Sequence, residues 1–122
     1  MTTQASRTTI QSLNLPLIKM RHEMWKNKLI TFLNGGKVPV AISHRDCDLG
    51  KWLYGGGLAT YSEFPEMRAL EQEHQRFHDR VYRIIELYQS GKPKEAWAVY
   101  EELKAHSGEL MALLDALGNR LH

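Results

Sequence analysis

The chain predicts an all-α fold: an antiparallel, four-helix-bundle-like arrangement with one short cross-helix that carries the only cysteine. Three observations lead there. Apolar residues recur at alternating steps of three and four along three long stretches. Each stretch has a proline near its start, and the first two end at glycine. No segment carries a convincing strand signal.

The first helix shows its seam at Leu15, Ile18, His22, Trp25, Leu29 and Phe32. Pro16 suits its first turn, and Asn34-Gly35-Gly36 closes it as a left-handed cap would. A loop follows from Lys37 to Asp46, where Pro39 opposes helix continuation. A short helix is predicted from Cys47 to Tyr54, with Asp46 as N-cap and Gly55-Gly56-Gly57 as stop. The second long helix runs from about Pro65 to Ser90, with its seam at Met67, Leu70, His74, Phe77, Val81, Ile84 and Tyr88 and Gly91 as its stop. Pro93 opens the third, which carries Ala96, Val99, Leu103, His106, Leu110, Leu113 and Leu117. Lys94, Glu101, Glu102 and Lys104 read as its solvated face.

Length and composition narrow the function classes. At 122 residues the chain reads as one domain over residues 1–122, with a core from about 9 to 118. Apolar and charged fractions of 43% and 25% are ordinary for a globular protein. The net charge of +2 is spread without a basic stripe interleaved with aromatics, which argues against nucleic-acid binding. No apolar run approaches the roughly 18 residues of a membrane span, and MTTQASRTTI lacks the apolar stretch of a signal peptide. One cysteine cannot form an internal disulfide. Together these features predict a cytoplasmic protein that does not insert into membranes.

Four residues carry the chemistry. His74 and His78 stand one helical turn apart, so both side chains leave one face and can chelate one ion. The pair alone says little, because histidines fall at that spacing on solvated faces too. His22 adds weight, since it occupies an inward seam position where a buried imidazole needs a partner. A hydrogen bond to a carbonyl or hydroxyl would serve as well. Cys47 could be a small buried hydrophobe, but the start of a helix favours the thiolate that binds metal. Gly50 leaves room there for a neighbouring helix, and Leu49 and Trp52 would hold the segment down. Three imidazoles and a thiolate form a complete tetrahedral zinc shell.

The pattern His22-x-x-Trp25, Cys47-x-Leu49-Gly50-x-Trp52 and His74-x-x-x-His78, with 21 residues in each gap, resembles the chemoreceptor zinc-binding (CZB) domain. The resemblance implies Zn2+ held by His22, Cys47, His74 and His78 in a helical bundle. It also implies a cytoplasmic, often dimeric regulatory module beside chemoreceptor or diguanylate cyclase signalling domains, tuned by zinc or by an oxidant such as hypochlorous acid. Only four residues follow Gly118, so the output partner is expected in cis or in trans from elsewhere.

Rival readings remain at this stage. Glu71-x-x-His74 is half of the motif of a di-iron, ferritin-like or hemerythrin-like bundle, but no second copy occurs. His44 could replace His22, and His106 could compete for a ligand position. His122 is terminal and expected to fray. Asp46, Glu71 and Asp79 are candidates to orient the ligating rings. A metal-free helical interaction module is the plain alternative. No catalytic motif stands out, and the glycine triplet reads as a helix stop rather than a phosphate cradle, so an enzyme is not expected.

Overall fold

In the computed structural model, which describes residues 9–121, every regular element is helical. A 3-10 turn, Ile10–Ser12, precedes α1, Leu15–Leu33. The Asn14 side chain caps α1 by accepting from the Leu17 N–H at 3.1 Å, and Pro16 sits in the first turn. After a long strap come α2, Asp48–Trp52, a π-type turn, Leu53–Gly57, and α3, Leu58–Thr60. The long helices α4, Pro65–Gln89, and α5, Pro93–Arg120, complete the chain. Positive φ values at Gly35 (94°) and Gly91 (80°) close α1 and α4, as the glycine signals predicted.

α4 and α5 form an antiparallel hairpin with the most extensive packing in the molecule. α1 lies antiparallel to α5: Lys19 near its start pairs with Asp115 at 2.5 Å, while Leu29 and Phe32 near its end pack with Ala96 and Tyr100. α1 and α4 therefore run parallel, and residues 34–64 cross back between them. Ala41 on this strap packs against the end of α4, whereas Leu49 and Leu53 pack with Met67 and Leu70 at its beginning. The strap with its short helix thus takes the place of the fourth rod in an up-down-up-down bundle.

The core divides into two apolar clusters. One gathers Ile18, Leu49, Leu53, Met67, Leu70, Leu110 and Leu114. The other gathers Leu29, Phe32, Phe77, Val81, Ile84, Ala96 and Leu103. Between them lies a polar layer. His22 falls between Ile18 and Leu29, His74 between Leu70 and Phe77, and the buried Ser107 between Leu103 and Leu110. Burying several polar side chains at one level is unfavourable unless they find partners.

Three local expectations need correction. The N-cap of α2 is Cys47 rather than Asp46, its Sγ accepting the Gly50 N–H at 3.4 Å. The glycine triplet does not stop the helical path but kinks it, with helix resuming as far as Thr60. Gly57 is required there by packing, since a Cβ would press into the Trp52 ring. On α5 the seam passes through Tyr100, Ser107 and Leu114 instead of Val99, His106 and Leu113. His122 lies outside the described residues.

Candidate metal centre

Three segments deliver the polar layer. His22 comes from the middle of α1, Cys47 from the start of α2, and His74 and His78 from one face of α4. One nitrogen from each of His22, His74 and His78 lies within 4.8 Å of the other two. His78 Nε2 is 3.1 Å from His74 Nε2, and Cys47 Sγ is 3.0 Å from the same His74 nitrogen. The three rings stand edge to face, with centroids 4.6 to 6.2 Å apart.

Hydrogen bonds fix which nitrogens face inward. His22 Nδ1 is 2.9 Å from the Ile18 carbonyl, and His78 Nδ1 is 2.9 Å from the Ile42 carbonyl. A carbonyl only accepts, so each Nδ1 must carry the proton. Each neutral ring then presents a bare Nε2 lone pair to the centre. The orienting partners are thus backbone carbonyls, not Asp46, Glu71 or Asp79. Ile18 is one turn earlier on α1, and Ile42 is the point where the strap passes α4. His74 Nδ1 is buried and has no hydrogen-bond partner among the described residues.

Electrostatics keep the rings neutral. Burial pushes His74 down to about 2, helped by the neighbouring His78, His22 and His44. Burial also lowers His78 to about 4, against the opposing bond to Ile42. His22 is lowered mainly by burial, with its bond to Ile18 opposing. For Cys47 the helix-start expectation is reversed. Burial raises the thiol, and Asp48 adds to the rise, while the N–H groups of Gly50 and Leu49 compensate only in part. A five-residue helix offers little dipole, so desolvation wins.

This donor set fits a cation. Converging lone pairs on neutral imidazoles repel one another, and a buried thiolate needs a positive partner; a tetrahedral zinc ion satisfies both demands. The bare nitrogens and the sulfur come from residues whose backbones are already held in place.

Gly50 explains how Cys47 reaches the centre. A Cβ at Gly50 would collide with the carbonyl oxygen of His44 and the backbone of Arg45. The close neighbour is therefore the turn before α2, not another helix. Trp52 anchors the opposite side by donating its indole N–H to the Thr9 carbonyl at 2.9 Å. Trp25 is half-buried and lines a cavity of about 220 Å³ that also touches His22, Cys47 and His78.

The rival ligands separate clearly. His106 turns away and meets Glu73 at 2.6 Å. Glu71, the carboxylate of the half di-iron motif, accepts from the Tyr54 hydroxyl at 3.0 Å. His44 stays near the cluster, its ring centroid 6.3 Å from His74 and 6.5 Å from His78, without replacing His22. Sequence reasoning missed Ser107 because its pattern assigned that level of α5 to His106.

A family model described as the chemoreceptor zinc-binding domain matches residues 22–85, just over half of the chain. The match spans all four residues of the cluster. No curated protein and no solved structure matches the chain. No helix among the described residues is long and apolar enough to cross a membrane.

Proposed function

The chain belongs to the chemoreceptor zinc-binding domain family, and from that premise we propose that it is a zinc-dependent sensory module whose ligands are His22, Cys47, His74 and His78. The observation that supports this reading is the meeting of Cys47 Sγ and His78 Nε2 at one nitrogen of His74, at 3.0 and 3.1 Å. Bound zinc would supply a positive centre that holds a thiolate and three neutral imidazoles in a closed shell. Four protein donors leave no position for an activated water, which speaks for regulation rather than catalysis.

The chain's own residues then couple ligation to shape. His22 ties α1 to the centre, Cys47 ties the strap, and His74 and His78 tie α4. Removing Cys47 from the set cuts one tie between the strap and α4 at this level, beside the Ile42 carbonyl bonded to His78. The sulfur is oxidisable. A thiolate and hypochlorous acid give a sulfenic acid and chloride, two electrons passing from sulfur to chlorine, and the product is a poorer ligand. The cavity beside Cys47 gives a small oxidant a route to it. Arg21, paired with Asp48 at 2.6 Å, stands at its wall and can attract an anion.

The signalling partner in this reading is a chemoreceptor or diguanylate cyclase output domain in the cytoplasm, with the module acting as a homodimer. One experiment tests the sensing role. One equivalent of hypochlorous acid should raise the rate at which a competing chelator strips zinc at least tenfold in the parent, and not in Cys47→Ser. Equal rates before and after oxidation would dismiss it.

A further inference from the structure

We infer that His44 is a reserve ligand, an imidazole that enters the donor set when Cys47 is withdrawn from it. The inference rests on the zinc reading above and adds a fifth residue to the site. Its first basis is distance. The His44 ring centroid is 6.3 Å from His74 and 6.5 Å from His78, comparable with the 6.2 Å between His22 and His78. A change in side-chain torsions, without backbone movement, spans such a gap.

The second basis is freedom. His22 and His78 each have a ring nitrogen fixed by a backbone carbonyl. Neither ring nitrogen of His44 has a hydrogen-bond partner among the described residues, and the ring rests edge-on against Tyr54 at 5.8 Å. It is half-buried, so no deep packing holds it out. The third basis is placement. His44 precedes Cys47 by one turn of chain, and its carbonyl oxygen lies 3.8 Å from Cys47 Sγ. Contact with Gly50 holds that backbone in place. The incoming imidazole therefore approaches from the side that the sulfur leaves.

Replacing a thiolate by a neutral imidazole keeps four donors but raises the net charge of the centre by one. The metal is retained less tightly, and the strap stays attached by His44 instead of Cys47. Oxidation would then switch the ligand rather than empty the site, which makes the response reversible without fresh zinc.

Zinc affinity by chelator competition in the parent, His44→Gln, Cys47→Ala and the double variant tests this, with far-UV circular dichroism confirming the helical fold of each. His44→Gln alone should bind within about threefold of the parent. Cys47→Ala should still bind one zinc, more weakly than the parent by at least the roughly tenfold that loss of an outer-shell partner alone costs. The double variant should lose at least a further tenfold. Nitrogen-15 spectra of zinc-loaded Cys47→Ala should show a His44 ring nitrogen shifted as in ligation. Equal affinities for Cys47→Ala and the double variant would overturn the inference, as would a Cys47→Ala protein that holds no zinc while the parent holds one. A parent without zinc would overturn the underlying reading as well.

Discussion

Cys47 Sγ lies 3.0 Å from Nε2 of His74, across 27 residues of sequence and from a different element of the fold. That contact joins the crossing strap to α4 at the level where the two apolar clusters of the core part. The polar layer between the clusters interrupts hydrophobic packing, and in the proposed reading ligation of a cation would make such a layer favourable. Stability and metal occupancy should therefore move together.

His74 is central, since both the sulfur and His78 Nε2 converge on it. His74→Ala should reduce bound zinc from about one per chain to a small fraction, whereas Ile84→Ala, in the apolar cluster beyond the site, should cost roughly 2–5 kcal/mol of stability while the ligands remain. Elemental analysis with thermal unfolding distinguishes the two. Full zinc in His74→Ala would count against the assignment.

Glycine at position 50 is required by contact with the backbone of His44 and Arg45. Gly50→Ala should destabilise the protein by about 3 kcal/mol, a cost at the upper end for overpacking, and weaken zinc binding with it. Gly55→Ala serves as control, because nothing stands within 4 Å of a Cβ there. Similar denaturant midpoints for the two variants would refute this account of the Cys47 turn.

Acid should weaken both the fold and the metal site. Free histidine titrates near 6.5, while burial holds His78 near 4 and His74 near 2. Between pH 6.5 and 4 the unfolded chain binds protons that these folded rings refuse, so stability rises with pH across that window and falls as pH drops through it. Zinc affinity falls in the same direction, because protons compete for the same nitrogens. Melting temperatures and chelator competition at pH 7.5 and pH 5 provide the check. A flat profile would contradict it.

His106 pairs with Glu73 on the flank of α4 and α5. His106→Gln should leave zinc stoichiometry and affinity unchanged, with a stability change of no more than about 1 kcal/mol for a partly exposed pair. A loss of zinc comparable with that of His74→Ala would reinstate His106 as a ligand.

Much of this is legible in the sequence. The seams of α1 and α4 name most of the buried faces, although Leu87 rather than Tyr88 is buried near the end of α4 and Leu15 and Trp25 on α1 are only half-buried. α5 is harder. Val99 and Tyr100, like Leu113 and Leu114, are adjacent and both able to face a core, so steps of three and of four from Ala96 and Leu110 both fit a heptad; taking the step of three puts His106 where Ser107 belongs. The four candidate ligands stand out in the sequence as a pattern of spaced residues. The groups that orient them do not, because the carbonyls of Ile18 and Ile42 belong to the backbone and leave no mark on residue type. The course of residues 34–64 is equally hidden. That strap has no periodicity, and its path follows from contacts such as Ile42 to His78 that only the tertiary structure specifies.

The most direct test is X-ray absorption at the zinc edge of the purified, zinc-loaded protein. The account predicts one sulfur at about 2.3 Å and three nitrogen donors at about 2.0 Å, with the sulfur shell absent in Cys47→Ala. A shell of nitrogen and oxygen alone in the parent, or a protein that retains no zinc to measure, would contradict it.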